Sequence, residues 1–516
     1  MKILSSDQIR EADLYTIKKE EITSIGLMER AANQCVNFIV NDSVLPFDLG
    51  KEVHVFCGLG NNGGDGLVIA RLLSQKKYKV NVCILRYSDK CSEDFKVNEL
   101  RLMEMPSVSL INIFSTEDLV KINFHTGFII DAIFGSGLRK TAEGFPAEVI
   151  DFINKIPLPV IAIDVPSGLS TGPLEKASKS CIRASHTLTF QAPKLIFMFP
   201  EYFQYIGDFT VLDIGLDAEF INGLGTINFL SLHADIRALI KVRGKFSHKG
   251  TFGHSLLISG SYGKIGAAIL AADACLRSGT GLLTVHLPKC GFEIMQSRLP
   301  QAMVNCDSDE QVITELPSLD TFDAICIGPG LGLEQASQNV LKLLIQNANE
   351  PLVIDADALN ILALNKTWLS FIPENSILTP HPKEFERLAG KASNDYDRYN
   401  KLRDFAFKFK CYVVLKGAHT AIACPDGLVY FNSTGNPGMS RGGSGDVLTG
   451  IITGLLAQKY HPKDAAILSV YWHGLAGDLA AQKKSEQAMT SLDIIRNMGR
   501  AFLYISRSEN ASKELG

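Results

Sequence analysis

Two glycine-rich stretches in this 516-residue chain carry the residues best suited to chemistry. The first, Val53–Gly66, reads VHVFCGLGNNGGDG. Gly58, Gly60 and Gly63 satisfy G-x-G-x-x-G between a strand pattern and a helix pattern, a spacing that turns loop N–H groups at a helix N-terminus toward a pyrophosphate. An ordinary dinucleotide site also wants an acidic residue about twenty positions on, for the ribose hydroxyls. The stretch Lys79-Val80-Asn81-Val82-Cys83 supplies none, which argues against a nicotinamide-dependent dehydrogenase. The carboxamides of Asn61 and Asn62 offer oxygen ligands of the kind a hard monovalent or divalent cation takes. Asp65 is predicted to cap the following helix. Asp131 in FIIDAIFGSG, with Asp164 and Ser167 in AIDVPSG, ends later strand patterns. Strand C-termini of a parallel sheet converge on one rim, so these loops are predicted to meet.

The second stretch reads GNPGMSRGGSGDVLTGIITGLLA. Gly442, Gly443 and Gly445 run into an amphipathic helix, and unsubstituted N–H groups at a helix start form an anion hole. Asp446 falls in the first turn, where the helix dipole favours its ionised form. A carboxylate beside a phosphate cradle can take a hydroxyl proton during phosphoryl transfer. Lys416 ends a strand pattern and can meet phosphate as a point charge. His381, between two prolines in TPHPKEF, sits in a rigid strand-end loop suited to touching a ligand.

The elements that must hold these residues are read from periodicity. Apolar, β-branched runs at Val53–Cys57, Val80–Leu85, Phe128–Ile133, Pro159–Asp164, His186–Phe190 and Phe209–Asp213 alternate with helical patterns. That implies a parallel sheet covered on both faces. The alternation lapses between Asp217 and Phe246, then restarts with strands from Ser255–Ser259 to Tyr412–Lys416, a Pro-Asp-Gly hairpin and two helices ending near Gln482. We therefore expect two α/β domains: 1–220, a connector over 221–245, 246–506, and a polar tail over 507–516.

Composition narrows the function classes. A formal net charge of −4 gives no basic surplus for a polyanionic partner, so nucleic acid is not expected. The 11 cysteines contain no CxxC pair, and the 11 histidines no HxxxH or HExxH spacing, so reduced thiols are expected and zinc is not. No apolar stretch suits a signal peptide or a membrane span; a cytoplasmic protein is expected.

GNNGGDG, DAIFGSGL, IDVPSGL and TFQAPK resemble the epimerase domain of the bifunctional NAD(P)H-hydrate repair enzymes. KGTFGHSLLISGSYGKIGAAILAADACLRSGTGL, IGPGLG, VIDADAL, LTPHPKEFERL, LKGAHT and GNPGMSRGGSGDVLTG resemble that family's dehydratase domain, in order, over most of Lys249–Gly450. The resemblance implies a Rossmann-like three-layer domain followed by a ribokinase-like one. It implies that Asn61, Asn62, Gly63, Gly64 and Asp65, with Gly135, Ser136, Gly137, Leu138, Arg139, Lys140 and Thr141, bind the hydrate, and that Asp164 contacts it as the epimerase's catalytic carboxylate. Asn62, Asp131 and Ser167 would hold K+. Ala267, Gly332 and His381 would line the dehydratase pocket, with Asp446 acting on the hydroxyl. Lys416, Gly417, Ala418, His419, Thr420 and Gly445 would hold the nucleotide, ADP, with Mg2+. A homo-oligomer is implied, a tetramer favoured. The chain departs from the family at Leu195-Ile196, after Pro193-Lys194, and at Gln301, where many relatives have Glu.

Two other readings stay open on the residues alone. A small-molecule kinase of the ribokinase type shares Asp446 and its anion hole but leaves NNGGDG and TPHPKEF unexplained. A first half that only binds is the other, though Asn62, Asp131 and Asp164 are all intact.

Overall fold

The computed structural model describes residues 1–41, 52–120, 122, 124–137, 142–172 and 180–507. It divides into two compact units, Lys2–Thr226 and Ile227 onward.

The first unit opens with two helices, α1 (Ser6–Glu20) and α2 (Ser24–Asn41). There follow β1 (Glu52–Cys57), α3 (Asn61–Gln75), β2 (Lys79–Leu85), α4 (Glu93–Met103), β3 (Val108–Ile113) and α5 (Thr116–Val120). The chain continues through β4 (Phe128–Ala132), α6 (Phe145–Ile153), β5 (Val160–Ile163), β6 (His186–Phe190), α7 (Phe203–Ile206), β7 (Asp208–Leu212) and α8 (Ala218–Gly223). The strands form one parallel sheet in the order β3-β2-β1-β4-β5-β6-β7, the doubly wound arrangement with its switch between β1 and β4. Val53, Val55, Phe56 and Cys57 of β1 are wholly buried, because helices cover both faces and each such apolar side chain contributes about 1.5–3 kcal/mol. β3 was not predicted. It is an edge strand, half exposed, so its VSLINI sequence lacks a continuous apolar run.

The second unit begins with β8 (Asn228–Ser231) and α9 (His233–Leu239), inside the stretch expected to be a connector. β8 pairs with the last strand of the second sheet, and only Leu230 and Ser231 of it are buried, which is why it left no apolar signature. Next come β9 (His254–Ile258), α10 (Ile265–Ser278), β10 (Leu282–Leu287), α11 (Phe292–Arg298), β11 (Met303–Cys306), β12 (Ala324–Ile327) and α12 (Gln335–Asn347). They are followed by β13 (Leu352–Ile354), α13 (Asp357–Leu364), β14 (Ile377–Leu378), α14 (Pro382–Ala389), α15 (Asp395–Lys408) and β15 (Tyr412–Leu415). The hairpin β16 (Ala421–Ala423) and β17 (Val429–Asn432) precedes α16 (Ser444–Ala457), α17 (Pro462–Lys484) and α18 (Ser491–Ser506). The expected hairpin turns at Pro425-Asp426-Gly427, where the Asp426 carboxylate accepts from Leu428 N. The ten strands run β11-β10-β9-β12-β13-β14-β15-β16-β17-β8, parallel except at the two pairings of β16. The helices do not end at α17: α18 adds Ile494, Ile495, Met498, Ala501 and Ile505 to the core.

Candidate active sites

In the first unit the strand C-termini meet as expected. Gly58 lies tightly under α3: a Cβ on Gly63 would stand 1.9 Å from the Gly58 carbonyl oxygen, so only glycine lets the helix start so close to the loop. α3 begins at Asn61, with Gly60 as its N-cap, and Asp65 therefore lies in the second turn rather than at the cap. A cavity of about 450 Å³ opens over this point. Asn61, Asn62, Asp65, Gly135, Ser136, Gly137 and Asp164 line it, while Gly63 and Gly64 are buried beneath. Leu138, Arg139, Lys140 and Thr141 lie outside the described residues.

Asp131 and Ser167 form a buried pair under the cavity floor. The Asp131 carboxylate accepts Ser167 Oγ at 2.5 Å, Ser167 N at 2.8 Å and Ile133 N at 3.2 Å. Ser167 Oγ also accepts Phe134 N at 2.8 Å. Burial pushes Asp131 up to about 6 against these hydrogen bonds. Asn62 lies against the same loop: a Cβ on Gly135 would sit 3.3 Å from Asn62 Oδ1, and Asn62 Nδ2 is buried without a hydrogen-bond partner among the described residues. A carboxylate, a hydroxyl and a carboxamide, with no lysine or arginine on Asp131 among the described residues, fit a hard monovalent cation.

Asp164 follows β5 with φ +65, held there by its N–H on Leu188 O at 2.7 Å. Its carboxylate accepts Ser136 N at 3.1 Å and faces Lys194 Nζ at 3.1 Å. Lys194 is 2% exposed, its ammonium also donating to Thr189 Oγ1 and the carbonyls of Phe190 and Ala192. Burial raises Asp164, but Lys194 and Ser136 outweigh it and hold the carboxyl below its usual range. Lys194 was read only as part of TFQAPK and Pro193-Lys194; a lysine between the end of β6 and the apolar run Leu195–Met198 was the available signal for this role. Four more lining residues, Ser6, Ile9, Arg10 and Asp13, come from α1 and were not expected. Burial and the charges of Asp164 and Asp13 push Asp65 well up.

In the second unit α16 starts between two cavities. The larger, about 690 Å³, is lined by His381, Lys416, Gly417, Ala418, Thr420, Ser444 and Gly445 among others. Lys416 Nζ donates to Asp355 Oδ1 at 2.9 Å, and Thr449 Oγ1 to Asp355 Oδ2 at 2.6 Å. Burial raises Asp355, but Lys416 and Thr449 bring it below the usual carboxylate range. Gly445 keeps the helix start open to that lysine, since a Cβ there would be 3.3 Å from Lys416 Nζ. His419 does not line this cavity; its Nδ1 lies 3.1 Å from Asn432 O, and burial lowers its pKa. His381 caps α14, its Nδ1 accepting from Lys383 N and Glu384 N, so its ring is fixed at the cavity wall.

The smaller cavity, about 390 Å³, is lined by Lys264, Ala267, Gly330, Asp357 and Asp446. Gly332 does not line it; its N–H donates to Asp357 Oδ2 at 2.9 Å, and Lys264 Nζ reaches the same oxygen at 3.1 Å. His381 thus faces the larger cavity, apart from Ala267 and Asp446. Asp446 is not the fully ionised group the dipole suggested: burial, then Asp355 and Asp357, push it up to about 7. A helix terminus carries only about half a charge, and two nearby carboxylates exceed it. Asp355, Asp357 and Lys264 were not singled out, although the two aspartates of VIDADAL end β13 where a parallel sheet places its ligands.

Comparison with known proteins separates the units in the same way. Residues 24–196 match the family model described as YjeF-related protein N-terminus, and residues 255–500 the one described as NAD(P)H-hydrate dehydratase. A bifunctional NAD(P)H-hydrate repair enzyme of Moorella thermoacetica is 36% identical over 510 residues, 96% of this chain and 95% of that one. The chain belongs to the bifunctional NAD(P)H-hydrate repair enzyme family. The Escherichia coli member is 34% identical over 502 residues, 96% of this chain and 93% of that one. An ADP/ATP-dependent NAD(P)H-hydrate dehydratase from Bacillus subtilis, co-crystallised with ATP and Mg2+, is 31% identical over 55% of this chain and all of that one, with a TM-score of 0.48. Membership in the repair family accounts for the pairing of a Rossmann-like unit with a ribokinase-like one. No helix among the described residues is long and apolar enough to cross a membrane.

Proposed function

We propose that the chain returns hydrated nicotinamide dinucleotides to NADH and NADPH in two steps. The first unit interconverts the R and S hydrates; the second dehydrates the S form at the expense of ADP, giving AMP and phosphate. The observation that carries this reading is the start of α16, where Gly445 and Lys416 face one cavity and Asp446 the other. A nucleotide in the first would present its terminal phosphate across the helix start to a hydroxyl in the second.

Asp446 takes the hydroxyl proton as the oxygen attacks the terminal phosphorus of ADP, and the bond to AMP breaks. The phosphorylated ring then loses phosphate from C6 and a proton from C5, which restores the double bond. Hydroxide leaves poorly and phosphate well, so a nucleotide is consumed. Lys416 meets phosphate as a point charge, and Asp357 would supply a protein oxygen to Mg2+, which neutralises phosphate charge when bound. In the first unit Asn62, Asp131 and Ser167 would hold K+, whose charge would balance Asp131 and fix the Phe134–Ser136 loop. Asp164, kept ionised by Lys194, faces the ring and stabilises an iminium-like cation. A cytoplasmic homo-oligomer, a tetramer favoured, fits the many reduced thiols and the family.

The test is recovery of reduced-nicotinamide absorbance from a mixed-epimer hydrate with ADP or ATP, K+ and Mg2+. Complete conversion with ADP supports both activities. Recovery that stops when one epimer is spent removes the epimerase, and no recovery removes the repair reading.

A further inference from the structure

We propose that Asp13, on α1, is the acid of the epimerisation and passes one proton to Asp164 across the bound ring, an inference that rests on the reading of the first unit as the epimerase. Asp13 lines the same cavity as Asn61, Asn62, Ser136 and Asp164. Asp13 is half-buried on α1, beside the buried Ala12 and one turn after the buried Ile9. Its Oδ1 atom is buried with no hydrogen-bond partner among the described residues, a costly state for a group that only holds structure.

The charged groups facing Asp13 are Asp164, Lys194, Arg10 and Asp65. Burial, then the charge of Asp164, push Asp13 up to about 7 against the pull of Lys194 and Arg10. Asp164 is held low by Lys194. The two carboxyls therefore differ in proton affinity, and a proton is available at neutral pH on the one that no ion pair neutralises.

The step balances as follows. Asp13 donates its proton to the C6 hydroxyl, the C–O bond breaks, water leaves, and the ring-nitrogen lone pair forms the C=N bond of a cyclic iminium. Water adds to the opposite face, the C–O bond re-forms, the nitrogen recovers its pair, and the proton shed goes to Asp164. The opposite conversion carries the proton back, and between turnovers it returns to Asp13, the stronger base.

The test uses the full chain and separated epimers, following their interconversion without nucleotide. Asp13→Asn is expected to lower kcat for epimerisation about 100- to 10,000-fold with KM changed less than about threefold. ADP-driven recovery from the S hydrate by the same preparation should stay at the wild-type rate. Asp13→Glu should restore at least about a tenth of the lost rate, since it returns the acid. The wild-type rate should fall as pH rises through about 7, where Asp13 loses its proton, and Asp13→Asn should lack that limb. Epimerisation by Asp13→Asn within about threefold of wild type, or a loss confined to KM, overturns the proposal while leaving the epimerase reading intact. If Asp13→Asn does not fold, Asp13→Glu decides, because a rate without the limb near pH 7 overturns the proposal equally. A wild-type chain that leaves the epimers unchanged overturns the reading beneath it.

Discussion

The two sites share one electrostatic device and use it differently. Each pairs a strand-end aspartate with a lysine and leaves a second carboxyl without one. In the first unit the pair is Asp164 and Lys194 at 3.1 Å, and Asp13 and Asp65 are carboxyls of the same cavity without a lysine. In the second the pair is Asp355 and Lys416 at 2.9 Å, and the carboxyl without one is Asp446. Both paired groups sit below the usual carboxylate range, Asp13 and Asp446 are pushed up to about 7, and Asp65 is pushed well up. The difference lies in the lysines. The Lys194 side chain is 2% exposed and sealed behind Asp164, so it can only tune that group. The Lys416 side chain is 22% exposed and lines the larger cavity, so it can tune Asp355 and still meet a phosphate. One arrangement serves a reaction that moves protons and water, the other a reaction that also moves a phosphoryl group.

The sharpest way to break the comparison is to remove one unpaired carboxyl. Asp446→Asn should lower ADP-dependent dehydration about 100- to 10,000-fold while epimerisation continues at the wild-type rate. A dehydration rate within about tenfold of wild type would take Asp446 out of the chemistry.

Removing the lysines comes next. Lys194→Met leaves Asp164 buried and uncompensated, which should destabilise the first unit by about 3–5 kcal/mol in denaturant unfolding and abolish epimerisation. Lys416→Met should destabilise the second unit by less, about 1–3 kcal/mol, because solvent reaches part of the pair, and should raise the KM for nucleotide. Equal losses would mean that the difference in burial has no energetic weight.

The pH profiles should diverge. A base must be deprotonated, so dehydration should fall about tenfold per unit as pH drops below about 7, the value to which burial and the two neighbouring aspartates raise Asp446. An acid must be protonated, so epimerisation should fall as pH rises through about 7, the value for Asp13. Rate profiles for the two half-reactions on one preparation check this, and parallel profiles would show that the two carboxyls do not play opposite parts.

What could be read from the chain follows the same division between local and distant. Strands β1, β2, β4 and β5 were legible because both sheet faces are covered and their sequences are mostly apolar runs, and β6 (HTLTF) and the edge strand β7 (DFTVL) through their β-branched and aromatic residues. The edge strands β3, β8 and β11 were not, because polar residues interrupt them and little of each is buried. Glycine loops announced both sites by composition, but only the close approach at Gly63, on Gly58, is local; that at Gly445 is to Lys416 of another strand end. Asp13 was invisible because it reaches the rim from a helix that precedes the whole sheet. The cap assigned to Asp65 failed because Asn61-Asn62-Gly63-Gly64 has loop composition, yet packing of Gly63 on the Gly58 carbonyl makes it the first turn of α3. The charge on Asp446 was misjudged because its opponents, Asp355 and Asp357, come from another strand end.

The smallest expected effect tests how closely Lys416 must approach the helix start. At Gly445 a Cβ would meet only the flexible end of Lys416, at 3.3 Å, so the ammonium can yield by a few tenths of an ångström without moving the backbone. Gly445 lies in the first turn of α16, and alanine there gives the unfolded chain less freedom to lose than glycine does, so Gly445→Ala should melt at the same temperature or slightly higher. Displacing the ammonium should still raise the KM for nucleotide about three- to tenfold, with kcat changed less and epimerisation unaffected. Gly63→Ala is the matching change in the first unit, and there the obstacle is a backbone carbonyl at 1.9 Å that cannot yield. If Gly445→Ala leaves the KM unchanged, Lys416 acts on the phosphate from a position that tolerates displacement, and its pairing with Asp355 is the part of its role that requires a fixed place.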